Sequence, residues 1–167
     1  MHKNRAGIVM IVLIAAGILG AGPALAGQWI VGSVSIRNGA GANVYGERLA
    51  VFLVRTASLV SADHCSKEDH HQRRLDCINN CHLDFFKRFQ KLQREPDYLV
   101  AQTVTSETGN FAFFDAPVGT YFVLIKFPSM IDGCKVAWQE PVSVLPERIG
   151  IVTLNDDNLI LPKNRRR

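Results

Sequence analysis

Along the chain from Trp29 onward, apolar residues recur in two different rhythms, and the switches between them divide the sequence. Residues 29–36 place Trp29, Val31, Val34 and Ile36 as the bulky positions of a predicted strand. Residues 38–43, Asn-Gly-Ala-Gly-Ala-Asn, form a turn cluster, because Gly and Asn tolerate backbone angles that other residues avoid. Residues 47–56 predict a second strand. Its stretch 49–54 is apolar on both faces, as befits a sheet interior or a strand between two layers. From Ser66 to about Arg94 the period becomes helical. At 100° per residue Leu75, Ile78, Phe85, Phe89 and Leu92 share one stripe, with His71 and His82 on it, while Lys87, Arg88 and Lys91 lie away from its centre. Ser66 and Asp69 have the spacing of a capping box that would open this helix, and Pro96 ends it. The strand rhythm returns at residues 98–105, 111–114, 120–127, 135–145 and 148–154, with a short apolar stretch at 159–161. Polar turns fall at 106–110, 115–119 and 155–158, a loop at 128–133, and Pro141 predicts an edge strand or a bulge. Seven or so short strands with one helical insertion predict a mainly β fold, an antiparallel sandwich.

The first residues change the picture by fixing a compartment. His2, Lys3 and Arg5 precede an apolar run over residues 6–21. Gly22 and Pro23 break it, and Ala24 and Ala26 supply the small residues of a cleavage site. This predicts a signal peptide over residues 1–26 and a protein exported to the periplasm or the extracellular space; an uncleaved anchor is the competing reading. No cysteine follows the expected cut, which argues against a lipoprotein. The remaining ~140 residues suffice for one domain with its own core. A formal charge of +4, partly carried by the leader, does not call for nucleic acid. Residues 162–167 read as a basic tail, and no later apolar segment is long enough to span a membrane. The domain thus occupies residues 27–161, with the helical, cysteine-containing insertion at 57–97.

The run Val104-Thr105-Ser106-Glu107-Thr108-Gly109-Asn110-Phe111-Ala112-Phe113, followed by Pro117-Val118-Gly119-Thr120-Tyr121, resembles the carboxypeptidase-regulatory-like domain. Gly32-x-Val34 and residues 41–54 resemble the opening strands of that transthyretin-like (prealbumin-like), Ig-like sandwich family. Ser106 departs from the family's usual Asp. The resemblance implies a sandwich and an accessory, non-catalytic role. Independently of it, Gly109 suits a tight turn, Phe111 and Phe113 share one face, Gly119 closes a second turn, and Tyr121 starts a strand that buries its ring. No zinc-carboxypeptidase His-x-x-Glu pair is present. With Arg37 the basic residue near the first strand, no lysine is placed there for an isopeptide cross-link of the kind seen in related surface sandwiches.

Chemistry concentrates in the insertion. Cys65, Cys77, Cys81 and Cys134 are an even set in an exported chain, which predicts two structural disulfides of open connectivity, bridging to Cys65 and Cys134. A straight helix beginning after Ser66 would hold Cys65 and Cys77 about 15–18 Å apart. Either the segment breaks, or Cys65 pairs outside the helix. Cys77-x-x-x-Cys81-His82 is one residue longer than the c-type haem attachment motif. Read that way, His82 would be the proximal ligand and His64, His70 or His71 the distal one of a small electron-transfer protein. Zinc on Cys65, Cys77, Cys81 and a histidine is a further alternative, which an oxidising compartment disfavours, so no metal is expected. Asp156 and Asp157 read as turn caps, and no nucleophile–base signature appears. The expectation is no enzyme and no cofactor, but a binding or structural module of the cell envelope. Its insertion would face another envelope protein or an extracellular ligand.

Overall fold

The computed structural model describes residues 28–58, 60–126 and 128–165, so the leader expected over residues 1–26 lies outside the described residues. Among the described residues, eleven strands and one α-helix follow in chain order: β1 (Ile30–Arg37), β2 (Asn43–Tyr45), β3 (Ala50–Val54), α1 (His71–Leu92), β4 (Leu99–Val104), β5 (Asn110–Phe113), β6 (Gly119–Ile125), β7 (Met130–Ile131), β8 (Cys134–Lys135), β9 (Trp138–Val144), β10 (Gly150–Leu154) and β11 (Asn164–Arg165). One sheet has the order β4-β3-β6-β9 and is antiparallel throughout. In the second, β1 pairs with β10, β5 and β2. The β1–β10 pair is parallel, running from Ile30↔Gly150 to Val34↔Leu154, so the sandwich is not antiparallel everywhere. A small sheet β11-β8-β7 completes the fold, and pairs residues 164–165 that the sequence reads as part of a free basic tail.

Alternation along the strands builds the core between the two main sheets. Val34 and Ile36 of β1, Val51 and Leu53 of β3, Tyr121, Val123 and Ile125 of β6, and Val152 and Leu154 of β10 all point into it. Trp138 of β9 is fully buried among them, and its indole N–H donates to the Asn155 carbonyl at 2.8 Å. Two glycines are required here. A Cβ on Gly32 would lie 2.3 Å from the Phe111 ring, and one on Gly109 would lie 2.4 Å from the Val34 carbonyl at a φ of +74°. Phe111 and Phe113 are both buried, their rings 5.9 Å apart, and Tyr121 is buried as well. Pro141 sits on the edge strand β9, where its missing N–H costs no ladder bond on the open side.

The insertion leaves and rejoins the sheet at one point. Val54 pairs with Leu99, and the Arg55 N–H donates to the Tyr98 carbonyl at 3.0 Å. Residues 56–97 are therefore an expanded β3–β4 hairpin loop, at whose root the ladder shifts register between Leu53 and Val54 and continues. Its helix lies on the outer face of sheet β4-β3-β6-β9. Ile78, Cys81, Phe85 and Phe89 of α1 join Phe52 and Val54 of β3, Leu124 of β6, Tyr98 and Leu161 in a second apolar layer. The rings of Phe52 and Phe89 are 4.7 Å apart. Lys126 lies over the Phe52, Phe86 and Phe89 rings at 5.0–5.6 Å, and burial lowers its pKa.

The helix does not begin where the Ser66/Asp69 spacing places it. Residues Asp63–Lys67 form a separate 3₁₀ turn, in which the Ser66 hydroxyl donates to the Asp63 carbonyl at 2.6 Å. The α-helix starts only at His71, behind an extended His70 that makes no side-chain cap. Arg74 ties the reversal together, its guanidinium donating twice to the Glu68 carbonyl. His71, at the first turn, is exposed, although the helical wheel puts it on the apolar stripe.

Candidate functional site

Because the chain doubles back between the 3₁₀ turn and α1, Cys65 meets the helix. Cys65 and Cys77 form a disulfide with Cα atoms 5.6 Å apart, which resolves the geometric dilemma in favour of a broken segment. Cys77 and Cys81 stand four residues apart on one helix face, which brings Cys81 to the same place. Its Sγ is 3.8 Å from Cys65 Sγ. His64 Nε2 lies 3.7 Å from Cys65 Sγ and 4.0 Å from Cys81 Sγ. The donor atoms of His64, Cys65, Cys77 and Cys81 all fall within 4.8 Å of one another.

The expectation of two disulfides is not met. Cys81 and Cys134 are free thiols, Cys81 buried and Cys134 partly so. Cys134 sits in the small β11-β8-β7 sheet, while Cys81 is held beside Cys65 and His64. Burial, and secondarily the Asp84 carboxylate, raise the Cys81 pKa, partly offset by a backbone hydrogen bond, so this group is a thiol.

Two clefts flank the cluster. One, of about 930 Å³, runs between the insertion and the C-terminal segment, with Arg37, Arg74 and Lys163 facing Asp63 and Asp156 around an apolar floor that includes Ile78 and Ile160. The other, of about 580 Å³, opens over His64, Cys77 and Cys81, and has Arg73, Arg88 and Asp84 on its walls. Asp156 is a structural anchor for the first cleft. Burial alone would raise its pKa, but the Lys163 ammonium and the Arg37 backbone N–H outweigh that and hold it low. Asn155, rather than Asp156 or Asp157, caps the turn, accepting from the Asp157 N–H at 2.8 Å.

His82 belongs to the packing layer. It is fully buried, and burial drives its pKa down to about 4 against a hydrogen bond to the Pro162 backbone, with Lys135 adding to the lowering. For thioether attachment of haem at Cys77 and Cys81 with His82 as ligand, this geometry supplies no support: the Cys77 sulfur is bonded to Cys65, and the His82 ring is enclosed. His70 and His71 are exposed. Sequence reasoning did not bring Arg37, Arg74, Asp156 and Lys163 together, because they line one cleft only through tertiary folding. It also had no signal to single out His64 among the histidines.

No protein-family model matches the chain, and no curated protein matches it. Among solved structures the chain is similar to PA1324 of Pseudomonas aeruginosa, a candidate carbohydrate-binding protein. The two share 15% identity and a TM-score of 0.42, over 78% of this chain and 89% of that one. It is similar also to GBS52, the minor pilin of Streptococcus agalactiae, at 9% identity and a TM-score of 0.46, over 86% of this chain and 48% of that one. The RrgB pilus backbone of Streptococcus pneumoniae gives 12% identity and a TM-score of 0.29, over 72% of this chain and 34% of that one. Among the described residues no helix is long and apolar enough to cross a membrane.

Proposed function

We propose that this chain is a non-catalytic binding or structural module of the cell envelope, with the helical insertion as its partner-binding surface. The observation that carries the reading is the way the insertion is mounted. It springs from a single hairpin, is seated on the sheet by an apolar layer, is braced internally by the Cys65–Cys77 bridge, and leaves a cleft of about 930 Å³ along its border. A cleft of that size with a few charged groups around an apolar floor suits a peptide segment or a small polar ligand. The disulfide and the leader-like pattern of residues 1–26 support export to the periplasm or outside the cell. The Gly109–Phe113 and Gly119–Tyr121 turns support kinship with the carboxypeptidase-regulatory-like sandwiches.

The test is site-specific photo-crosslinking in the native envelope. A photoreactive residue at Ser66, on the cleft rim, is expected to give a discrete adduct. The same residue at Ile151, which is 77% exposed on the opposite sheet, is expected to give none. Adducts from Ile151 with none from Ser66 would move the binding surface off the insertion and overturn the reading.

A further inference from the structure

A bridge that only braces the insertion needs two cysteines, yet this one has a third sulfur and an imidazole nitrogen packed against it. We propose that His64, Cys65, Cys77 and Cys81 form a redox-gated Cys₃His site for zinc(II), occupied when the Cys65–Cys77 disulfide is reduced. This is independent of whether the insertion also has a partner.

Three of the six donor–donor spacings fall near those of a tetrahedral ligand set. Zinc with bonds of about 2.3 Å to sulfur and 2.0–2.1 Å to nitrogen sets S···S edges of roughly 3.8 Å and S···N edges of roughly 3.6 Å. The Cys65–Cys81 edge is 3.8 Å, and the His64 edges to Cys65 and Cys81 are 3.7 and 4.0 Å. The Cys65–Cys77 edge is the one closed by a covalent bond. The ligands come from two local elements, the 3₁₀ turn and one helical turn of α1, so the set survives the loss of that bond without a long-range rearrangement. Access is open: His64 is exposed, and the smaller cleft lies over His64, Cys77 and Cys81. Sequence alone weighs against zinc because oxidation removes thiolates. The structure makes oxidation the gate.

A dithiol reductant gives two electrons and two protons to the Cys65–Cys77 bond and becomes a disulfide itself, leaving two thiols on the protein. Zinc(II) then binds three thiolates and neutral His64, and the three thiol protons pass to solvent. A disulfide oxidant then takes two electrons from the Cys65 and Cys77 thiolates and two protons from solvent to become a dithiol; the bridge re-forms, two of the four ligands are lost, Cys81 regains its proton, and the ion is released. Metal loading and bridge formation are thereby mutually exclusive.

Cobalt(II) is the direct probe, because thiolate-bound tetrahedral cobalt gives charge-transfer absorption and intense visible bands. The full chain without its leader, reduced with a phosphine under argon, is expected to take up one equivalent and to surrender it to one equivalent of zinc. The oxidised protein is expected to take up none. Cys81→Ser should lose the thiolate-cobalt spectrum by at least tenfold in intensity or affinity. His64→Ala, at an exposed position, should weaken binding at least tenfold, with Trp138 fluorescence confirming an intact sandwich. Cys134→Ser should bind as the unaltered protein does. Absence of a tetrahedral cobalt spectrum in the reduced protein, or equal affinity in His64→Ala and the unaltered chain, would overturn the proposal.

Discussion

Strands β3 and β6 each serve two apolar layers, and the layers are held in different ways. Toward the second sheet they present Val51, Leu53, Tyr121, Val123 and Ile125; toward the helix they present Phe52, Val54 and Leu124. The inner layer is closed by strands from across the chain, including the parallel β1–β10 pair that joins the two ends of the domain. The outer layer is closed chiefly by one local excursion, a 22-residue helix braced to its preceding turn by a disulfide, with Ala137, Ile160 and Leu161 packing beside it. A sandwich sheet ordinarily leaves its outer face to water. Here that face has been made apolar to seat an insertion, so the insertion is a built layer and not a loose loop. Long-range pairing makes the inner layer the global stability of the molecule, and local tethering makes the outer one a separable unit.

The largest effect should come from the inner layer. Trp138→Ala removes a fully buried side chain and its hydrogen bond to Asn155, and is expected to cost about 4 kcal/mol, read as one cooperative loss by denaturant melts of both strand and helix signals. Phe85→Ala, equally buried but in the outer layer, should cost about 3 kcal/mol of helix docking while near-ultraviolet signals from Trp138 persist. Both probes falling together would erase the distinction between layers.

Protonation sharpens the contrast, because His82 lies against the outer layer. Its pKa is about 4 folded and near 6.5 when unfolded. Stability is therefore fully present above pH 6.5 and is lost as the pH falls toward 4, by up to on the order of 3 kcal/mol. Denaturant midpoints measured across that window should lose this slope in His82→Leu. The smallest effect is expected at Thr105, whose buried hydroxyl accepts from the Leu49 N–H at 2.8 Å and donates to the Gly46 carbonyl. Thr105→Val should cost about 1–2 kcal/mol, lowering the midpoint of the whole sandwich without a pH dependence.

The same division governs what the sequence reveals. The continuous apolar run of β3, the turn at Gly109 and the paired Phe111 and Phe113 are local signals, and together they suffice to place the sandwich. Pro141 marks its edge strand for an equally local reason. Strands of two or three residues, such as β2, β7, β8 and β11, are too short to show a period. The parallel β1–β10 pairing has no local signature at all. In the insertion, the Ser66/Asp69 spacing points to a cap, but the break at residues 68–70 depends on Arg74 reaching back to the Glu68 carbonyl. That reversal decides that Cys65 meets Cys77 and that His64 and Cys81 join them. The helix stripe was legible; the cluster beside it was not.

The separability of the two layers is tested most directly by amide hydrogen exchange on the oxidised protein and on protein reduced in the presence of a metal chelator. A bridge over this sequence separation of 12 contributes roughly 3 kcal/mol, so reduction should speed exchange in α1 about a hundredfold while the amides of β3 and β6 keep their protection. Equal acceleration in α1, β3 and β6 would contradict it, and would make the insertion an inseparable part of the sandwich core.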